Sequence, residues 1–373
     1  MFLKTFGASL GIAAIGLTLG FLYGGPTGLA VTAILAVLEV SLSFDNAVVN
    51  ATVLVRMNPF WQKIFLTVGV AIAVFGMRLL FPLLIVGITA KLTPNEAIRL
   101  ALEKGDAKTH GTYGYLLHQA HPAIAAFGGV FLLLIFLDFI LEEREITWLS
   151  WLERPLARIG KLDQLSVVIT LIALAVSAYV LAPNDKVSTV LLSGLLGMAT
   201  YLVVNGLGEF FETEEEEVVE TALEDGGTRP AGGGRAMALA VGKAAFFLFL
   251  YLEVLDASFS FDGVVGAFAI TSDPIVIAIG LGIGAMFIRS LTVYLVRKGT
   301  LAEYVYLEHG ALWAIGALSI VLLITMKYEI PEVVTGLIGV AFIGAALVSS
   351  IVRNRRMAAE DEAGGHDREP AAV

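Results

Sequence analysis

The chain has no cysteine in its 373 residues. This excludes a disulfide framework and any thiolate metal site. Charge is scarce as well: 16% of the residues are Asp, Glu, Lys or Arg, against about a quarter in an ordinary soluble domain. There is no His-Glu-x-x-His string, so the commonest zinc hydrolase signature is missing, and no enzymatic activity is expected. No basic tract suggests a nucleic-acid partner. The net charge of −10 comes partly from Glu212–Glu220 and Glu360–Glu369, acidic runs that read as solvated segments.

What the chain has in abundance is apolar residues, 57% of the total. They lie in long continuous runs at about 6–23, 28–55, 64–90, 121–141, 165–182, 187–210, 236–270, 275–296, 310–327 and 332–352. A bilayer-spanning helix needs roughly 20 such residues. The runs do not alternate every second residue, so they are not the strands of a membrane barrel. Helices satisfy their own backbone hydrogen bonds in lipid. The expected fold is therefore an all-α polytopic membrane protein of about ten transmembrane helices, with the bilayer as its first partner. The opening run follows Lys4 and lacks a small-residue cleavage site before Gly24-Gly25-Pro26, so it reads as a retained helix rather than a signal peptide. With ten spans, Lys4, Arg56, Lys63, Arg144, Arg154, Arg158, Lys161, Arg297, Lys298 and Arg353 fall on one side, and fewer basic residues on the other. The positive-inside rule then predicts cytoplasmic termini with loop 91–120 outside, and the expected location is a plasma (inner) membrane of bacterial type. The Asn95–Lys104 portion of that loop suits a short amphipathic helix, and Trp148 and Trp151 suit the interfacial belt.

The chain repeats itself. Leu38-Glu39-Val40-Ser41-Leu42-Ser43-Phe44-Asp45-Asn46 aligns without gaps on Leu255-Asp256-Ala257-Ser258-Phe259-Ser260-Phe261-Asp262-Gly263. Gly69 through Arg78 aligns with Gly280 through Arg289, and His121 with His309. Five spans separate the two copies, an odd number, so they would cross the membrane in opposite directions. Two five-helix repeats of inverted topology recur in secondary transporters, whose sites lie at the repeat interface. The boundaries expected are 1–211 for the first repeat with the start of the sixth span, 212–235 for an acidic, Gly-rich cytoplasmic linker, 236–352 for the rest of the second repeat, and 353–373 for a disordered tail.

A carboxylate inside a span is expensive and marks a functional site by default. Glu39, Asp45, Asp256 and Asp262 all fall within apolar runs, with Glu253 beside them. Arg78 and Arg289 can neutralise only two, and the remaining negative charge calls for a cation. Carboxylates, the Asn46 amide and the hydroxyls of Ser43 and Ser260 form an oxygen-donor set suited to hard divalent cations. On a regular helix, at about 100° per residue, Glu39, Ser43, Asn46 and Asn50 share one face while Asp45 lies roughly opposite. A single site using all the acids thus predicts a break in both helices near Ser-Phe-Asp, with Ser or Asp capping the restarted half-helix. His121 and His309 are candidates for a gate or proton relay.

At these residues the sequence resembles the TerC family of integral membrane proteins, named for tellurium resistance. Leu38-Glu39 through Ser43-Phe44-Asp45-Asn46-Ala47 is similar to that family's Glu-then-Asp-Asn signature. Glu253-Val254-Leu255-Asp256 through Phe261-Asp262-Gly263, then Phe268–Pro274 and Leu281–Leu291, is more similar still. The long loop around Thr93–His118, the acidic linker and Gly263 depart from the family pattern. The resemblance implies manganese export or metal-ion homeostasis, with Glu39, Asp45, Asn46, Glu253, Asp256 and Asp262 handling the metal. Mn²⁺ would be the substrate, and no cofactor is implied. The alternatives are an exporter of amino acids or another small solute, and a non-transporting partner in a membrane complex linked to tellurite or metal stress.

Overall fold

The computed structural model describes residues 2–80, 83–84, 86–87, 91–103, 108–162, 164–224, 240, 242–271, 273–298 and 303–365. Of the candidate site residues, the side chains of Asp45, Ser260 and Asp262 lie outside the described ones. Apart from a lone backbone bridge between Met57 and Ala240, the described residues form helices and turns. In order these are α1 (Phe2–Leu42), α2 (Phe44–Leu54), α3 (Pro59–Ile64), α4 (Pro94–Leu102), α5 (Tyr113–Leu141), α6 (Ser150–Ile159), α7 (Leu165–Val180), α8 (Val187–Glu224), α9 (Gly242–Ile270), α10 (Pro274–Lys298), α11 (Leu307–Thr325) and α12 (Glu332–Gly365). Among the described residues, seven helices are long and apolar enough to cross a membrane. The 16-residue α7 is apolar but shorter.

Helix α1 is a hairpin. Gly25 has φ 62°, a left-handed conformation that glycine adopts without strain, and Pro26 starts the return arm. A methyl group on Gly28 would stand 2.4 Å from the Gly20 carbonyl oxygen, so the arms touch backbone to backbone. Both arms lie along α10. Ser9 bonds to the Met286 carbonyl and to Ser290, and Gly16 meets Ile279 and Ile283. On the return arm Leu35 meets Gly280 and Glu39 meets Gly284. The first arm runs against α10 and the second with it. The apolar runs at 6–23 and 28–55 thus turn back at the Gly-Gly-Pro boundary that the sequence marks.

Burial is distributed as in a membrane protein. Leu22, Val37, Leu192 and Leu337 are exposed, while Glu39, Asn46, Asn50, Arg78, Glu253, Asp256 and Arg289 are buried. Soluble proteins rarely show this inversion. Lipid accommodates it, because intramembrane polar groups turn inward. The core centres on α5, where Val130, Phe131, Leu132 and Leu134 are fully enclosed between α8, α9 and α11. Small residues bring the helices close: a Cβ on Gly197 would lie 2.3 Å from the Phe127 carbonyl oxygen.

Several expectations are corrected here. The acidic stretch from Thr213 is helical up to Glu224, a direct extension of α8 rather than a flexible linker. Its run of Glu with Val, Ala and Leu sustains a helix. Residues 225–239 lie outside the described ones. Likewise α12 continues through 353–365, the first part of the segment read as a disordered tail. The third apolar run is not a regular α-helix but carries π-helical turns at Phe65–Gly69 and Ile72–Leu80. Such turns often mark functional sites. The amphipathic helix expected in loop 91–120 forms as α4, closed by a reciprocal capping box between Thr93 and Glu96.

Candidate functional site

The first motif is interrupted where Ser-Phe-Asp begins. Helix α1 ends at Leu42, Ser43 takes φ −99° and ψ 17°, and α2 starts at Phe44. The backbone bonds Ser43 N–H to Glu39 O and Ala47 N–H to Ser43 O persist, so this is a kink and not an unwound stretch. Ser43 holds the N-cap position without capping. Its hydroxyl donates instead to Glu39 Oε1 at 3.1 Å. The second motif differs: α9 runs through Ser260-Phe261-Asp262 without a break. The expectation of two broken, capped helices is therefore met in the first copy only as an uncapped kink, and fails in the second. A continuous helix satisfies its own backbone at this depth, and Gly263 did not break it.

Glu39 is 1% exposed and pairs with Arg78. The guanidinium also donates to the Ala73 carbonyl at 2.6 Å, across the π-helical turn. Two glycines cradle the Glu39 side chain. A Cβ on Gly284 would fall 2.4 Å from Glu39 Cβ, and one on Gly263 would fall 3.1 Å from Glu39 Oε2.

A second cluster lies on α9. Arg289 donates to Asp256 Oδ2 at 3.3 Å, to Glu253 Oε1 at 3.4 Å and to the Phe65 carbonyl at 3.3 Å. Its guanidinium stacks 3.8 Å over the Phe65 ring. The other oxygen of Asp256, Oδ1, accepts from Asn46 Nδ2 at 2.7 Å. Asn46 thus ties the kinked first motif to the second. Both arginines are counter-charges to motif acids, as their equivalent places in the alignment suggest. Buried pairs of this kind are strongly destabilised when one partner is removed. Among the described residues, no three His, Asp or Glu side chains converge in a metal-ligating group. The candidate set is divided into Glu39–Ser43–Arg78 and Asn46–Asp256–Glu253–Arg289.

The histidines do not match one another. His121 stacks on His118, with ring centroids 6.3 Å apart. His309 is buried, its Nδ1 3.3 Å from Glu153 Oε2 and its ring edge-on to Phe139. Glu153 was not legible as a site residue. It accepts from Trp148 N, Leu149 N and Trp313 Nε1 at 3.0–3.1 Å, so it fastens α6 to α11 beside a cavity of about 370 Å³ lined by Arg144, Arg154 and Arg158. The signal for it was an acid in the first turn of an amphipathic helix, where the exposed helix dipole favours negative charge. Asp138 accepts a hydrogen bond from the Tyr201 hydroxyl. A Gly-x-Ser-x-Gly string does occur at Gly7–Gly11, but it sits inside a helix and Ser9 is fully buried against α10. It lacks the strand-to-helix turn that exposes a nucleophile.

No curated protein and no solved structure matches the chain. A family model described as a protein of unknown function, DUF475, matches residues 44–357. That span begins just past the kink at Ser43, so it leaves out Glu39 but includes Asn46, the second motif and both arginines, and the chain belongs to the DUF475 family.

Proposed function

We propose that the chain transports divalent metal cations, Mn²⁺ foremost, by alternating access at its paired acidic motifs. The observation that carries this reading is the buried set of Glu39 and Asn46, on either side of the kink at Ser43, with Glu253 and Asp256 on the continuous α9, and among the described residues only Arg78 and Arg289 as buried arginine counter-charges. Asp45 and Asp262 add two further acids to the same segments. Oxygen donors of this kind suit hard cations. The TerC resemblance points the same way.

The reading includes ten spans in two inverted repeats with both termini in the cytoplasm. Reciprocal contacts support the repeat. Asn46 bonds to Asp256, and Gly263, its counterpart in the alignment, packs against Glu39, the counterpart of Asp256. Gly69 packs against Phe249 as Gly280 packs against the Thr32 carbonyl, Thr32 being seven residues before Glu39 as Phe249 is before Asp256. Reciprocity of this form is what a two-fold relation produces. Export of an amino acid needs a base facing the substrate carboxylate. Both intramembrane arginines instead face carboxylates of the chain, which disfavours that alternative.

The test is uptake and efflux of Mn²⁺, Ca²⁺ and Mg²⁺ by purified protein in vesicles, with and without a pH gradient. Flux of at least one cation above protein-free vesicles is expected. Absence of flux for all three, with the protein correctly inserted, would refute the reading.

A further inference from the structure

The polar face of α2 and the acidic face of α9 form two rungs. Asn46 bonds to Asp256, and farther along the chain Asn58 N–H bonds to the Ala240 carbonyl. Residues 46 to 58 therefore run antiparallel to 256 down to 240. One helical turn on from Asn46 stands Asn50, and one turn back from Asp256 stands Glu253, so helical spacing alone assigns the two to the next level along the paired helices. The first rung is closed by its direct hydrogen bond. In the second, Asn50 is fully buried and neither amide atom has a hydrogen-bond partner, and Glu253 Oε2, also buried, has none. Arg289 takes the other oxygen of Glu253. Buried polar atoms are nearly always bonded, and Asn50 and Glu253 between them leave three unbonded, on the turns next to the Asn46–Asp256 rung.

We propose that Asn50 Oδ1 and Glu253 Oε2 form a second station for the transported divalent cation, one turn from the Asn46–Asp256 rung toward Met57. The proposal rests on the cation-transport reading and adds to it a residue, Asn50, outside the aligned motif. An amide oxygen and a single carboxylate oxygen make a weak, partly hydrated site. A transit position needs that quality, because an ion must leave it as readily as it enters.

The test is Mn²⁺ binding to full-length protein in detergent, with melting temperatures measured without and with Mn²⁺. Asn50→Leu is expected to weaken Mn²⁺ binding about tenfold and to raise the metal-free melting temperature, because it removes an unbonded buried amide. Glu253→Gln should weaken binding similarly, and the double variant should lose little more than either single one, the mark of two groups acting on one ligand. Asn50→Asp should bind Mn²⁺ more tightly than Asn50→Leu. If Asn50→Leu does not fold, Asn50→Ala carries the same expectation for binding. Wild-type protein that binds Mn²⁺ no better than its Asn50 variants would overturn the station while leaving the transport reading intact. Wild-type protein that binds no Mn²⁺ at all, and carries no Ca²⁺ or Mg²⁺ in vesicles, would overturn the transport reading, and the station with it.

Discussion

Replacing Arg289 by leucine tests the charge balance at the heart of the molecule. The side chain is 3% exposed and holds two carboxylates and a backbone carbonyl while stacking on Phe65. Leucine fills part of the volume but leaves Glu253 and Asp256 facing each other without a cation. Stranding one buried charge costs about 3–5 kcal/mol, a large part of the ~5–15 kcal/mol that holds a typical domain together. Because Arg289 bridges two acids, neutralising one should recover only part of the loss. The triple variant Arg289→Leu, Glu253→Gln, Asp256→Asn should recover most of it. Asparagine at 256 keeps the acceptor oxygen that Asn46 uses. The assay is thermal melting of purified protein by loss of monodisperse elution, with fraction inserted in membranes as a second readout. Melting of Arg289→Leu within a few degrees of wild type, or failure of the triple variant to recover, would refute the assignment of Arg289 as counter-charge. If an anion instead protected wild-type protein against heat, the arginines would be substrate ligands.

Other outcomes follow from the same structure. In this Cys-free chain, cysteines introduced at Thr109 and Thr228 should label from opposite sides of the membrane; labelling from one side would remove the inverted repeat. Gly284→Ala puts a methyl 2.4 Å from Glu39 Cβ and should destabilise by about 1–3 kcal/mol through overpacking, with unchanged melting temperature as the contrary result. Hydrogen bonds from the backbone and side chain of Thr93 hold the Glu96 carboxyl below its usual range. The cap is therefore intact above the ordinary carboxylate pKa and weakens as pH falls through the lowered one. Amide protection of residues 94–102 should drop selectively at that acidic end, and protection independent of pH would argue against the capping box.

Much of the fold was legible because lipid imposes a simple rule: long apolar runs become helices, and Gly24-Gly25-Pro26 turns one back on itself. The pairing of each motif with its own arginine was legible too, since an unpaired charge inside a span is costly and the two arginines stand at matching places. In the first motif Ser-Phe-Asp marks the position of the interruption but not its form, a kink with its backbone bonds kept and no cap from Ser43. For the second it was expected in error, because Ser260-Phe261-Asp262 offers the same residues yet continues as helix. In the first motif the Ser43 hydroxyl is turned back to Glu39 Oε1, a contact that the residue types alone do not reveal. The π-helical turns around Arg78 leave no mark in an apolar sequence. Nor does the Glu153–His309 contact, which joins helices far apart along the chain and depends on tertiary packing alone. The helical continuation of α8 to Glu224 was hidden by acidity, which resembles a solvated linker in composition but does not oppose helix formation.

The most direct test of the central claim is Mn²⁺ flux into vesicles carrying wild-type protein, Asp45→Asn or Asp262→Asn. These acids occupy equivalent positions in the two motifs. Removing one from a group of like charges relieves repulsion, so both variants should insert and remain folded. Cation transport through one shared site predicts flux in the wild type and loss of it in each single variant. Wild-type flux in both variants would place the site elsewhere and contradict the account.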